Sequence, residues 1–316
     1  MNRLFTLLSV VSGLVFTSMI FISYTSTSDE ADNKPSKVVE ASSSESVAPE
    51  GLPQVIKAAD LTKTYTFAGE VLPLDNFDAV ERFDRELMVN SYWQSNTLLN
   101  IKRANRFFPT MERILAENGV PDDFKYLAVA ESNLMNAVSP SGARGFWQFM
   151  KLSGKEYGLE INDEVDERYH LEKSTQAACE YIKWLKSKFG TWFDAAAAYN
   201  VGPTRYKSLL ASQDQEHYFD LNLNSETSRY VFRLMAIKEI MSNPSMYGFY
   251  LEPSDMYKPF ENVYQVEISK SVPSWSKFAE EHGISYRILK VYNPWLRDKK
   301  LTVMKNKYLV TIPKES

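Results

Sequence analysis

Pro121-Asp122-Asp123-Phe124-Lys125-Tyr126-Leu127-Ala128-Val129-Ala130-Glu131-Ser132-Asn133-Leu134, followed by Ser141-Gly142-Ala143-Arg144-Gly145-Phe146-Trp147-Gln148-Phe149-Met150, is the stretch that decides how this chain reads. Its first half has the marks of a helix. Pro121 suits a first helical position, and Asp122 and Asp123 set negative charge at the positive end of the helix dipole. Phe124, Leu127, Ala128, Glu131, Leu134 and Met135 then recur with a 3.6-residue period, so a carboxylate sits within an apolar stripe. An unpaired buried carboxylate is costly and takes up a proton, which is what a general acid requires. The helix alone leaves a second reading open, in which Glu131 lies at the stripe's edge and pairs with a Lys or Arg.

Further motifs follow. Gly142 and Gly145, succeeded by Trp147, Gln148 and Met150, describe a tight loop that backbone or ligand can approach closely. Ala195-Ala196-Ala197-Ala198-Tyr199-Asn200-Val201-Gly202-Pro203 ends a helix of small residues, with Gly202 as C-terminal cap and Pro203 blocking continuation. Taken in order, Glu131-Ser132, Gly142-x-x-Gly145-x-x-Gln148-x-Met150, Ala198-Tyr199-Asn200-x-Gly202 and Glu226-Thr227-x-x-Tyr230-Val231 resemble the lytic transglycosylase (SLT-type) domain. That is family 23 of the glycoside hydrolases, and the resemblance is strongest to its membrane-bound D-type branch. The resemblance covers roughly residues 67 to 250.

The resemblance implies a lysozyme-like helical fold. It also implies cleavage of the bond between N-acetylmuramic acid and N-acetylglucosamine in peptidoglycan, leaving a 1,6-anhydro-muramic acid end. The family carries one catalytic carboxyl group, and Glu131 matches it. Tyr199 and Tyr230 match positions whose hydroxyls lie near that acid. Gln148 and Asn200 would hydrogen-bond the glycan, and Ser132 would help hold the acetamido group. Trp147, Phe146 and Tyr157 are candidate platforms for sugar faces, with a core position as the plainer reading. Hydrolytic glycosidases use a second carboxylate, about 5–5.5 Å away when retaining. None stands inside the motifs that carry Gln148, Tyr199 and Asn200. Asp163, Glu164, Asp166 and Glu167 read best as a solvated charged loop. A hydrolytic muramidase and a catalytically silent peptidoglycan-binding scaffold are the alternatives.

Elsewhere the chain is ordinary in composition, at 44% hydrophobic and 24% charged over 316 residues. The net charge of -4 gives no basic footprint for nucleic acid. One cysteine rules out an internal disulfide; Cys179 lies in a helical apolar stripe and reads as a buried, inert thiol. His170, His217 and His282 follow no metal-ligand spacing, so neither metal nor cofactor is expected.

Residues 4 to 22 carry no charge, a length that fits a bilayer span, and no small-residue cleavage site follows. Residues 1–24 are therefore expected to be a signal-anchor or signal peptide, placing the protein in the cell envelope. Residues 25–65, rich in Ser, Glu, Lys and Pro, read as a disordered linker. The catalytic region is expected over 66–250 and is mainly helical by pattern: Asp78–Asn90, Thr97–Asn118 interrupted near Phe108-Pro109, Ser174–Phe189 capped by Ser174, Trp192–Tyr199, Pro203–Ala211 and Ser225–Met241.

Residues 261–314 change character. Strand-like alternation at Asn262–Ile268 and Tyr308–Ile312 brackets two short helices, Val272–His282 and Ser285–Tyr292. This small α+β (βααβ) order resembles a LysM module. The usual Gly-Asp-Thr turn is replaced by Ser269-Lys270-Ser271-Val272, and a loop needing positive φ would have to use Asn306. Trp275, Phe278, Ile284, Ile288, Leu289, Val291 and Leu309 are the expected core, and glycan binding is expected to be weak.

Overall fold

A computed structural model describes residues 57–314. The expected membrane segment at 1–24 and most of the expected linker lie outside the described residues. The packed chain begins before Thr66: Tyr65 is buried, and Ala59 and Leu61 rest against the main core.

A minimal hairpin, β1 (Thr66–Phe67) and β2 (Glu70–Val71), opens the fold. Helices α1 (Phe77–Tyr92) and α2 (Gln94–Glu117) follow. Asn76 caps α1 by accepting from Ala79 N–H at 2.8 Å. The expected break in α2 does not occur, although Pro109 stands inside the helix. Proline frees the carbonyl four residues back. Here that residue is Asn105, and both it and Pro109 are exposed, so water can serve the freed group.

Next come α3 (Lys125–Ser132), α4 (Lys151–Glu156), α5 (Leu171–Phe189), α6 (Trp192–Val201), α7 (Pro203–Gln213) and α8 (Ser225–Ser242). The start of α5 corrects the sequence reading. Ser174 is not its cap but a fully buried residue one turn in, whose hydroxyl donates to Leu171 O at 3.3 Å. The start of α6 shows what the hairpin does. The Glu70 carboxylate accepts from Trp192 N–H (2.8 Å) and Phe193 N–H (3.0 Å), and the Thr191 hydroxyl accepts from Asp194 N–H (3.0 Å). Three otherwise unpaired donors at one helix end are thereby satisfied. Helix α8 packs on α1, α3 and α6, and the main core gathers around it. Cys179 of α5 is buried in that core, and burial pushes its thiol up to about 12.

The C-terminal unit pairs β3 (Val263–Ile268) with β4 (Tyr308–Pro313), antiparallel from Val263↔Pro313 to Ile268↔Tyr308. Between them lie α9 (Trp275–Glu281) and α10 (Tyr286–Tyr292), capped by Ser274 and Ser285. The βααβ order is as expected, but the core differs. Trp275 and Leu289 are buried and Phe278 and Ile284 partly so, whereas Ile288, Val291 and Leu309 are exposed. The remaining core comes from Ile268, Ala279, Trp295, Leu296, Leu301, Tyr308, Val310 and Ile312, joined by Val165 and Tyr169 of the preceding region. Asn306 is not among the positive-φ residues; Asn262, at the strand entrance, is.

Candidate active site

Helix α3 is shorter than its apolar period suggests. A 3-10 turn at Asp122–Phe124 leads into it, and Asn133 (φ 51°) and Leu134 (φ 52°) end it in left-handed conformation directly after Ser132. Asn133 tolerates that conformation, and α2 holds it: Asn100 Nδ2 donates to Asn133 Oδ1 (3.2 Å) and Arg103 Nη1 to Asn133 O (3.2 Å). Met135 therefore lies outside the helix and is exposed. Glu131 sits in the last turn, at the negative end of the dipole, which disfavours its ionised form.

Helix α8 meets it. Tyr230 O–H donates to Glu131 Oε1 at 2.6 Å, and one turn on, Arg233 donates to Ala130 O. A cavity of about 300 Å³ is lined by Ala130, Glu131, Asn200, Ser225, Glu226, Arg229, Tyr230 and Arg233. Burial raises the Glu131 carboxyl above its ordinary value. The bond from Tyr230 and the charge of Arg233 oppose that rise, while the Glu226 charge adds to it. Glu131 is thus neither a simple edge residue nor an ion-paired one: its closest partner is a neutral phenol. Burial, then the Glu131 charge, pushes the Tyr199 and Tyr230 phenols well above their ordinary values, so both remain donors.

The other expected residues are placed differently. Tyr199 O–H donates to Trp147 O at 2.6 Å rather than to Glu131. Gln148 (φ 48°) braces its own loop, its Nε2 donating to Gly145 O (2.8 Å) and Ala137 O (3.2 Å). Ser132 is buried, and its hydroxyl donates back to Ala128 O at 2.9 Å, away from the cavity. Trp147 and Phe146 are core, not platforms; Trp147 is fully buried with Nε1–H on Thr175 Oγ1 at 3.0 Å. Tyr157 packs on Tyr181.

The charged loop is only partly solvated: Asp163 is exposed as expected, but its neighbours are not. Asp166 and Glu167 are buried, and Glu164 accepts from Thr302. The second carboxylate in the cavity is instead Glu226, exposed at its rim. Arg229 and Arg233 were not anticipated. The signal for them is spacing: Glu226, Arg229, Tyr230 and Arg233 recur at i, i+3, i+4 and i+7, one face of α8. Among the described residues no cluster of His, Cys, Asp and Glu is arranged to hold a metal ion.

Comparison with known proteins gives two domain matches. Residues 110–222 match the Transglycosylase SLT domain, and residues 264–316 match the soluble lytic transglycosylase C-terminal LysM-like domain. The membrane-bound lytic murein transglycosylase D of Escherichia coli (strain K12) is 28% identical over 260 residues. That alignment covers 79% of this chain and 56% of the relative, so the chain spans about half the length of the curated relatives it matches. Among solved structures, the 70 kDa soluble lytic transglycosylase of Escherichia coli aligns over 48% of this chain and 26% of its own, at 19% identity and a TM-score of 0.36. The lytic transglycosylase Slt of Pseudomonas aeruginosa, an inactive mutant, aligns with the same coverage and identity and a TM-score of 0.34. The chain is similar to lytic transglycosylases in both its helical region and its C-terminal unit.

Proposed function

We propose that this chain is a peptidoglycan lytic transglycosylase, with Glu131 as its acid and base. The neutral carboxyl of Glu131 protonates the oxygen that links muramic acid C1 to N-acetylglucosamine, and the C1–O bond breaks. The carboxylate left behind takes the proton of the muramyl C6 hydroxyl as O6 closes onto C1. The acid is then restored, the 1,6-anhydro ring is formed, and no water is consumed. Tyr230 orients the carboxyl, Asn200 and the cavity-facing arginines contact the glycan, and Tyr199 and Gln148 shape the wall beside it.

The observation that carries this reading is the raised, phenol-bonded carboxyl of Glu131 inside a polar cavity, within the stretch that matches the transglycosylase domain. Glu226 favours a hydrolytic second reading, because it supplies a further carboxylate to the same cavity. Mass spectrometry of digested sacculi separates the two: anhydro-muramic ends are expected, and reducible muramic ends would assign the enzyme to hydrolysis. Glu131→Gln should lower the rate by about 10²–10⁴-fold, the usual span for a general acid–base group. Retained activity in that variant would refute the assignment, and an inactive wild type would leave the scaffold reading.

We also infer a place in the cell envelope with the membrane reached through the N-terminal segment. The uncharged run at 4–22 and the membrane-bound character named for the Escherichia coli relative support this. Among the described residues, no helix is long and apolar enough to cross a membrane. Membrane fractionation of the full chain tests it, and recovery in the soluble envelope fraction would count against anchoring.

A further inference from the structure

Residues 160–168 are held from two sides. On one side is the C-terminal unit. Asp166 N–H donates to Trp295 O (2.9 Å), Arg297 N–H donates to Glu164 O (2.8 Å), and Val165 pairs with Leu296 as an isolated bridge. Thr302 donates to the Glu164 carboxylate from its N–H (2.5 Å) and its hydroxyl (3.0 Å), and Tyr308 O–H reaches Glu160 at 3.0 Å.

On the other side is the loop that carries Gln148. The buried guanidinium of Arg168 forms a fork on Asp166, Nε to Oδ1 at 2.9 Å and Nη2 to Oδ2 at 2.7 Å. Its Nη1 donates to Gly142 O (3.2 Å) and Phe149 O (3.1 Å), near the two ends of that loop. The middle of the loop rests on the same residue: a Cβ placed on Gly145 would lie 1.8 Å from Arg168 O. Between these anchors, Trp147 O receives the Tyr199 hydroxyl beside Glu131.

We propose that Arg168 is a positioning residue for the active site, and that the C-terminal unit acts through it. Docking of the unit fixes Asp166, Asp166 fixes the Arg168 fork, and the fork fixes the loop whose carbonyl orients Tyr199. The unit's contribution to catalysis is then mechanical rather than glycan capture. The proposal rests on the lytic transglycosylase reading. A planar fork locks direction as well as distance, which a lysine ammonium does not do. Displacement of catalytic groups by about 1 Å is enough to lose on the order of 10²-fold in rate.

The test uses the full chain, with soluble glycan fragments as substrate, and compares Arg168→Met, Arg168→Lys and Glu164→Ala. Arg168→Met should lower kcat roughly 10- to 100-fold with KM within about twofold. It should also move the alkaline limb of the pH profile to lower pH, because water reaching Glu131 relieves the burial that raises its carboxyl. Arg168→Lys should fail to rescue either effect. Glu164→Ala removes only the partly exposed contact with Thr302 and Lys300, and should shift both readouts the same way by less. That variant decides the matter if the Arg168 variants do not fold. Wild-type kcat with an unmoved limb in the folded variants overturns the proposal. So does a rise in KM alone, which would make the unit a glycan-binding module. Absence of cleavage by the wild-type protein overturns the functional reading itself, a result distinct from either.

Discussion

Glu131 is the residue on which burial and charge meet with opposite sign. Burial raises its carboxyl, while the Tyr230 hydroxyl donates to it and holds the rise in check. Replacing Tyr230 with Phe removes that donor, so the alkaline limb of the pH–rate profile should move to higher pH. The rate should fall roughly 10- to 100-fold with loss of a bond to a charged group worth about 1.5–3 kcal/mol. A limb that stays in place would show that Tyr230 does not touch the titrating acid. The same residue shapes stability. An unfolded glutamate titrates at about 4.3, and the folded value is higher. Within that window the native state binds more protons, so stability falls as pH rises from the unfolded value through the folded one. Calorimetry of Glu131→Gln across this range should show the variant gaining on the wild type as pH rises; a constant difference would refute the linkage. The meeting of Glu131 with Tyr230 was legible because the motifs around them are local. Ser132 and Gln148 bond their own backbone surroundings, because backbone geometry, not spacing, decides whether a polar side chain faces a cavity or its own loop.

At the scale of elements, helix periods were readable from sequence and helix ends were not. The apolar repeat runs on through Leu134 and Met135, yet two left-handed residues stop α3 first, fixed by Asn100 and Arg103 on a helix about thirty residues away in sequence. Pro109 misled in the other direction, since an exposed proline leaves a carbonyl that water can satisfy. The Gly142–Met150 loop was recognisable from its glycines, but the surface it closes against was not. Gly145 combines a φ of 80° with contact against the Arg168 carbonyl. Gly145→Ala should therefore lose roughly 2–5 kcal/mol from strain and overlap together. A shifted urea midpoint with unchanged slope measures this, and a loss under about 0.5 kcal/mol would mean that the loop moves freely off Arg168.

At the scale of the whole described structure, the C-terminal unit borrows part of its core. Val165 and Tyr169 pack with Trp275, Trp295 and Ile312 although they belong to the helical region, and His170 stacks on Trp295 with centroids 5.7 Å apart. Residues 260–316 expressed alone should accordingly unfold at a markedly lower temperature than they do within the full chain, where one cooperative transition is expected. Two well-separated transitions in the full chain would contradict the shared core. None of this was visible beforehand: acids such as Glu164 and Asp166 look solvated unless their partners, some 130 residues downstream, are known to fold back on them.

Cys179 gives the molecule a built-in reporter. It is the chain's one thiol, sealed in the main core with Sγ 3.9 Å from Ile114 O, and at about 12 its thiolate is scarce at neutral pH. An alkylating probe can therefore reach it only when the packing of α5 against α2 and α6 opens. The labelling rate then counts opening events of the helical region, with no engineered cysteine and no competing site. Labelling should be negligible in buffer, climb with urea in step with loss of helical signal, and slow when a long glycan fills the cleft. Prompt labelling of the native protein would mean that this core breathes far more than its packing implies.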